Sequence, residues 1–262
     1  MYFYKKINFI LKIVHNFISQ FGINLLKFKK IIFLPKFALD LVQYKMLHGK
    51  IDYLFPTIGE NIEISGQIIP HYFYQDLIVA SYIFKNKPIK HVDIGSRLDG
   101  FVSHVASFRE IEVFDIRDNK INYKNIKFNK LDLNNINKEL ENYADSLSCL
   151  HTIEHFGLGR YGDQIDPNGY KKGLESLYRI LKKDGLLYIS FPISKKTKVL
   201  FNSERIFHPL DILQWNNSLG LKLERFDYID DDENIFYDVN LVELDKNNLV
   251  YGCGIYTFKK TK

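Results

Sequence analysis

From residue 71 onward the apolar positions switch repeatedly between helical and strand spacing. In His71–Lys85, residues Leu77, Ile78, Tyr82 and Ile83 share one side of a helix. Lys90–Ile94 is a short apolar run stopped by Gly95, which reads as a buried strand. The same logic predicts a helix over Leu98–Phe108 and strands over Ile111–Ile116 and Ile126–Leu131. A weak helix to Tyr143 and a fourth strand, Ser146–Leu150, follow. Asn168–Lys183 reads as a helix, with Asn168 as cap, Lys182 and Lys183 suited to its negative end, and Gly185 as stop. Leu186–Phe191 is a fifth strand closed by Pro192, and Pro209–Ser218 a short helix. Leu221–Ile229 and Val250–Phe258 are two late strands, joined through a turn at Asp230–Asn234 without a long helix. Strands alternating with helices specify a three-layer α/β domain. Its expected sheet is seven-stranded and mostly parallel, with an antiparallel edge strand.

The first fifty residues behave differently. Ile10, Ile13, Val14, Phe17, Ile18 and Phe21 recur at helical spacing. Residues 1–50 carry nine lysines against one acid, Asp40, a charge of +8; the whole chain is +5, which leaves −3 for the rest. Pro56, Gly59, Gly66 and Pro70 punctuate the passage between the two regimes. We therefore expect a basic helical extension over 1–65 and a catalytic-type domain over 66–262. Lys12 and His15 break the apolar stretch Ile7–Ile18, so we expect it to be neither a signal sequence nor a membrane span of about 18 residues. The extension is expected either to pack on the domain or to lie as a basic amphipathic helix on an anionic membrane. Localisation is read as cytoplasmic, with residues 1–35 the candidate contact with the inner membrane face.

Composition narrows the field. In 262 residues, 46% are apolar and 26% charged, which excludes wholesale disorder. The two cysteines, Cys149 and Cys253, exclude a disulfide framework or a Cys-rich zinc module; Cys149 and Trp215 are expected in the core. A slightly acidic body gives no sign of nucleic acid as partner.

A doubly wound sheet binds ligands at the carboxyl ends of its strands. Asp93-Ile94-Gly95-Ser96-Arg97 ends the first strand. The glycine permits a tight turn, but G-x-G-x-x-G is absent, which favours a nucleoside ligand over a dinucleotide. Asp93 could take the cation of an amino-acid moiety. Asp115 ends the second strand, 22 residues on, where an acid suits ribose hydroxyls. Asp132 ends the third, where it could accept from an adenine amino group. Asp115 and Asp132 would equally serve as local caps.

The polar loop His151–Tyr170 holds His151, Glu154, His155, Arg160, Tyr161 and Asp163. His155, then His151, is the candidate base, with Glu154 orienting it or binding the acceptor. The loop could instead be held by its own hydrogen bonds and only shape the pocket. Arg160, Arg205 and His208 are candidates for an anionic acceptor. Tyr72 could stack, and Gln75 and Asp76 could close over a cofactor. His151-Thr152-Ile153-Glu154-His155 spells H-x-x-E-H, but it follows a strand and runs into Phe156-Gly157-Leu158-Gly159, so no metal site is expected. Asp230–Glu233 reads as a solvated acidic turn.

Over Lys90–Phe258 this constellation resembles the class I S-adenosylmethionine-dependent methyltransferases, with Asp93-Ile94-Gly95, Asp115 and Asp132 as its three strand-end motifs. Leu150–Phe156 looks like their segment after strand four; Ser96-Arg97 departs from their glycine loop. The resemblance implies the Rossmann-like class I methyltransferase fold and S-adenosyl-L-methionine as cofactor. It would be held by Asp93, Gly95, Ser96, Arg97, Asp115, Ile116, Asp132, Leu133, Gln75 and His151. Tyr72, Arg160, Tyr161, Arg205 and His208 would face the acceptor. Gly66-Gln67, His71–Asp76, Asp93–Phe101, Asp115–Arg117, His151–Asp163, Phe201–Arg205 and Tyr251–Ile255 are similar to a bacterial methyltransferase-like family found in surface-polysaccharide gene clusters. That implies transfer to an oxygen of a small anionic, phosphorylated or sugar-derived metabolite in capsule or lipopolysaccharide biosynthesis. The other reading is a non-catalytic methyltransferase-fold adaptor of a membrane-associated glycan-assembly complex. Oligomeric state stays open.

Overall fold

The computed structural model describes residues 14–24, 30–54, 56–57, 66, 68–216, 219–242, 244 and 249–262. The chain divides into two compact units, Met1–Ile68 and Ile69–Lys262.

In the first unit, residues 14–19 are helical and α1 spans Leu34–Met46. Pro35 sits in the first turn of α1, where backbone N–H groups have no intrahelical acceptor and a proline costs nothing. No residue of α1 is buried, and Leu39, Val42 and Met46 are exposed. Ile10 and Ile13 of the expected helical face lie outside the described residues, as do Gly59, Gln67 and Ser218. No helix among the described residues is long and apolar enough to cross a membrane.

The second unit opens with α2, Pro70–Asn86, which has Pro70 at its start and Lys87 in the left-handed region at its end. The strands are β1 His91–Ile94, β2 Ile111–Asp115, β3 Ile126–Lys130, β4 Ala144–Leu150, β5 Leu181–Ile193, β6 Lys198–Leu200, β7 Glu204–Ile206, β8 Leu221–Ile229, β9 Ile235–Phe236 and β10 Gly252–Lys260. The further helices are α3 Ser103–Ala106, α4 Gly169–Ile180 and α5 Asp211–Trp215. The main sheet runs β3-β2-β1-β4-β5-β10-β8-β9, with β6 and β7 forming a separate hairpin. β1 to β5 pair in parallel, and β10 is antiparallel to both β5 and β8.

Both faces are covered. Along β5, Leu187, Ile189 and Phe191 join the cluster with Leu174, Leu177, Ile180 and Phe207. Tyr188 faces the other side, with Ile78, Val79, Ile83, Phe101 and Val105. This alternation places helices on each side of a buried parallel sheet, the three-layer arrangement expected. Cys149 is fully buried, and Trp215 packs edge-on against Phe207 and Tyr170.

Several details differ from expectation. The sheet has eight strands, and the antiparallel strand β10 is interior; the edge is the two-residue β9. The helix expected over Asn168–Lys183 ends at Ile180, and Asn168 makes no side-chain cap. Its last carbonyls are claimed from outside. Lys260 Nζ donates to the Tyr178 and Leu181 carbonyls, and the N–H groups of Asn142 and Tyr143 donate to Arg179 and Ile180. The chain turns directly into β5, so Lys182 and Lys183 are strand residues. The helix expected over Leu98–Phe108 is a kinked turn broken at Gly100, followed by the four-residue α3. A Cβ at Gly100 would lie 2.7 Å from Asp76 Oδ2, so α2 approaches too closely for a regular first turn there. The weak helix before Tyr143 is two 3-10 turns, Leu133–Asn135 and Lys138–Leu140.

Candidate active site

At the carboxyl ends of β1, β2, β3 and β4 lies a cleft of about 600 Å³, counting space open to solvent. Gly95, Asp115, Ile116, Arg117, Asp132, Leu133 and Asn134 line one wall. His151, Thr152, His155, Phe156, Tyr161 and Asp163 line the other.

The first wall is made by strand ends. Gly95 follows β1 with φ +71°, and its N–H donates to the Phe114 carbonyl. A Cβ there would meet Thr152 Cγ2 at 2.6 Å, so only glycine lets this loop pass so close to the opposite wall. Asp115 closes β2; its carboxylate accepts both Nε and Nη2 of Arg117 and the Arg117 backbone N–H. Asp132 follows β3 and accepts from the Asn134 N–H, the local cap weighed above. Asn134 Oδ1 is buried and makes no hydrogen bond. Arg117 belongs to the resembling segment Asp115–Arg117, but the sequence alone assigns it no site role; its guanidinium stacks over Tyr161 at 4.5 Å and bridges the two walls.

Four residues expected to touch a cofactor do not line the cleft. Asp93 is fully buried in β1, and its carboxylate accepts from Ser96 N–H, Ser96 Oγ and Ser148 Oγ. Burial lifts Asp93 to about 6. Ser96 is thereby committed to Asp93. Arg97 points outward to an exposed ion pair with Asp99. Gln75 is buried in α2, where its Oε1 accepts from Ser190 Oγ at 2.6 Å and its Nε2 donates to Asp76. These residues brace the loops; strand-end burial, invisible in local spacing, sets that role.

The second wall grows out of β4. His151 stands directly after the strand at φ +47°, a left-handed turn that few side chains adopt. Its N–H is held by the Ser190 carbonyl and hydroxyl. Its Nδ1 lies 2.9 Å from Glu154 Oε1, and its Nε2 is buried without a hydrogen-bond partner. Burial pushes His151 down to about 4 and Glu154 up to about 7. Both shifts favour a neutral imidazole beside a carboxyl group that titrates near neutrality.

His155 sits at the end of the 3-10 turn Ile153–His155. Its Nδ1 lies 2.7 Å from the Ser203 carbonyl. A carbonyl only accepts, so this short contact favours the proton on Nδ1 and the lone pair on Nε2, against a longer contact of 3.3 Å from Arg160 Nη1, which only donates. Burial lowers the pKa of His155 as well. The two histidines of the H-x-x-E-H run flank Glu154 instead of converging, with His155 Nε2 3.9 Å from Glu154 Oε1.

The loop beyond is largely self-supporting. Asp163 accepts from the N–H groups of Gly157, Gly159 and Tyr161. Arg160 donates to the Ser203 carbonyl from an exposed position beside His155. Arg205 and His208, expected to face an anionic acceptor, do not line the cleft. Arg205 is 3% exposed, and its guanidinium donates to the carbonyls of Glu154 and Phe156 and, at 3.5 Å, of Pro167. It clamps the underside of the catalytic-candidate loop. His208 accepts from the Leu210 N–H and lies 3.9 Å from Asp211.

Behind His151 is a cluster that local spacing did not reveal. The His71 ring stacks on His151 and Tyr251, and Tyr72 leans on His151 at 5.0 Å. Tyr251 donates to Glu204 at 3.0 Å. Burial raises Glu204 and moves Tyr72 up to about 12. These residues come from α2, β7 and the approach to β10, so only tertiary contact assembles them.

Comparison with known proteins gives a fold and a family. No curated protein matches the sequence. The N-methyltransferase NodS from Bradyrhizobium japonicum WM9, solved with S-adenosyl-L-homocysteine, is similar at a TM-score of 0.51 and 8% identity, over 75% of this chain and 90% of that one. The CurJ carbon methyltransferase is similar at 0.50 and 11% identity, over 71% of this chain and 54% of that one. Likeness at such identities is likeness of fold, here the Rossmann-like fold of class I methyltransferases. The family model described as "Caenorhabditis protein of unknown function, DUF268" matches residues 101–234. That stretch is just over half of the 262 residues and holds both walls of the cleft apart from the end of β1, and the chain belongs to the DUF268 family.

Proposed function

We propose that the chain is an S-adenosyl-L-methionine-dependent methyltransferase whose acceptor meets His155. The observation that carries this reading is the pairing of two unlike walls in one cleft. One is a strand-end wall suited to a nucleoside; the other presents a neutral histidine whose Nδ1–H is fixed by Ser203. The cofactor fits the first wall. Gly95 at φ +71° turns the chain tightly at the cleft's edge, and the orphaned Asn134 Oδ1 is a ready acceptor for an amino group. Asp115 would bind one ribose hydroxyl while keeping its three Arg117 bonds, since a carboxylate has about four lone-pair sites. Asp132, Leu133 and Ile116 would flank the base. When bound, S-adenosyl-L-methionine supplies an electrophilic methyl group.

The chain's own part is to position and deprotonate. His155 Nε2 takes a proton from the acceptor, and Ser203 and Glu154 stabilise the imidazolium that results. Glu154 when ionised accepts from His151 Nδ1 and fixes that ring too. Tyr161 and Arg117 close the cleft from above.

An oxygen nucleophile on a sugar-derived or phosphorylated metabolite is supported by this base and by the resemblance of His151–Asp163 and Phe201–Arg205 to a surface-polysaccharide family. Arg117 and Arg160 are the cations best placed for an anionic acceptor, now that Arg205 is occupied. In the unit Met1–Ile68, exposed Phe17, Phe21, Leu39, Val42 and Met46 on a lysine-rich segment support contact with an anionic membrane surface. Sedimentation with phosphatidylserine vesicles tests this; a chain that stays in the supernatant sinks it.

Calorimetric titration with S-adenosyl-L-homocysteine tests the main reading. Binding at about micromolar Kd is expected, weakened about tenfold or more in Asp115→Ala, or about 1.4 kcal/mol. No binding to a folded sample overturns it. That result would favour the second reading, a non-catalytic adaptor, for which the internal engagement of Asp93 and Asp115 is the supporting observation.

A further inference from the structure

Three side chains far apart in sequence converge on the sheet side of His151. His71 lies in the first turn of α2, His151 directly after β4, and Cys253 at the start of β10. One ring nitrogen of each histidine and the cysteine sulfur all lie within 4.8 Å of one another. Cys253 is fully buried and His151 is 7% exposed. Glu154 occupies His151 Nδ1, which leaves Nε2 for the cluster, and that atom is buried with no hydrogen-bond partner. Among the described residues the hydrogen-bond partners of the Cys253 thiol are the Gln75 Oε1 atom, at 3.9 Å, and the Gly254 carbonyl, at 4.0 Å, both at the long limit for sulfur. A buried lone pair and a buried thiol, facing one point and poorly satisfied, are the pattern a cation would complete.

We propose that His71, His151 and Cys253 form a three-ligand site for a zinc-class divalent cation, with a fourth position open toward the cleft. Two imidazoles and one thiolate form a borderline-soft donor set, which suits zinc and not magnesium or calcium. Three protein ligands are the number that leaves an exchangeable position. His151 belongs to both the cluster and the cleft wall, so a ligand at that position would arrive from the cleft. Glu154 behind His151 supplies the carboxylate that orients a metal-bound imidazole. Bond lengths of about 2.0–2.3 Å put ligand atoms about 3.3–3.6 Å apart around a tetrahedral ion, so the cluster must contract by about 1.2 Å, within reach of side-chain rotation. On binding, the Cys253 S–H proton passes to solvent and the sulfur electron pair to the metal, so affinity rises with pH. The site is independent of the methyltransferase reading, and the H-x-x-E-H spacing does not describe it, because His155 is turned to Ser203.

Titration of the full chain with Co²⁺, read by calorimetry and by thiolate-to-cobalt charge-transfer absorption, tests the site. Expected are about one ion per chain, the charge-transfer band, and displacement by Zn²⁺. Cys253→Ser removes the band, and His71→Ala, at a half-buried ring, weakens cobalt binding about 100-fold or more. Near-UV circular dichroism confirms that each variant is folded. A folded wild-type chain that gives no band, or a band that survives Cys253→Ser, overturns the proposal. S-adenosyl-L-homocysteine titrated before metal addition reads the cofactor wall separately, so failure of either reading is told from failure of the other.

Discussion

The two walls of the cleft are built by different physics. The strand-end wall is local: a glycine turn and two carboxylates stand at the ends of adjacent parallel strands, in half-exposed positions. The histidine wall is dry and assembled from afar, with Glu154 fully buried, His151 and His155 nearly so, and Arg205 clamping the loop from beneath. The strand-end wall is set by backbone shape, with Gly95 at φ +71° and each carboxylate held by a neighbouring N–H. A wall made by burial moves its groups toward neutrality, which is what proton transfer at neutral pH requires.

That contrast can be broken in three ways. The largest effect is expected at His155. His155→Ala should lower turnover about 10²–10⁴-fold while S-adenosyl-L-homocysteine affinity stays within about twofold. Nitrogen-15 NMR of the wild type should show His155 protonated at Nδ1 and titrating below the usual imidazole value. A Nε2–H tautomer would remove it as base.

Next comes Gly95→Val. A β-branched residue at φ +71° with its Cβ against Thr152 should weaken S-adenosyl-L-homocysteine about 100-fold, or about 2.7 kcal/mol, by calorimetry. It should leave the His155 titration unchanged. Coupled loss of both would mean the walls are not separable.

The smallest effect is on stability. Glu154, raised by burial from 4.5 to about 7, favours the folded state at low pH, and that contribution is lost as pH rises through 7. His151, pushed down from 6.5 to about 4, acts oppositely: its contribution is present above 6.5 and lost as pH falls through 4. Glu154→Gln should therefore be more stable than wild type at pH 8 by about 3 kcal/mol and nearly equal to it at pH 4 in urea melts. An equal difference at both pH values would show that Glu154 does not titrate near 7.

How far the sequence reached follows the same division. Period-2 and period-3.6 patterns located the sheet's main strands and the strand-end residues Gly95, Asp115 and Asp132, because those features lie within a few residues of one another. Asp93 looked like a ligand contact, but its carboxylate is consumed by Ser96, three residues on, and by Ser148 of β4, a pairing across strands that no local pattern encodes. Arg205 looked like an anion receptor, yet its partners are three carbonyls of the neighbouring loop. His71 and Cys253 lie in segments that carry the family resemblance, but nothing local pairs them, since 182 positions separate them and only the sheet order joins them. The helix stop at Ile180 depended on Lys260, eighty residues on.

The placement of β10 has a consequence for biosynthesis. Residues 252–260 fill the gap between β5 and β8 and are hydrogen-bonded along both. Until they emerge from the ribosome, β8 and β9 have no sheet to join, and the edge of β5 stays open to pairing with another chain. Nascent chains of this fold should thus lean on chaperones until residues 252–260 are made, and closure of the sheet should come as one long-range, slow event that waits for them.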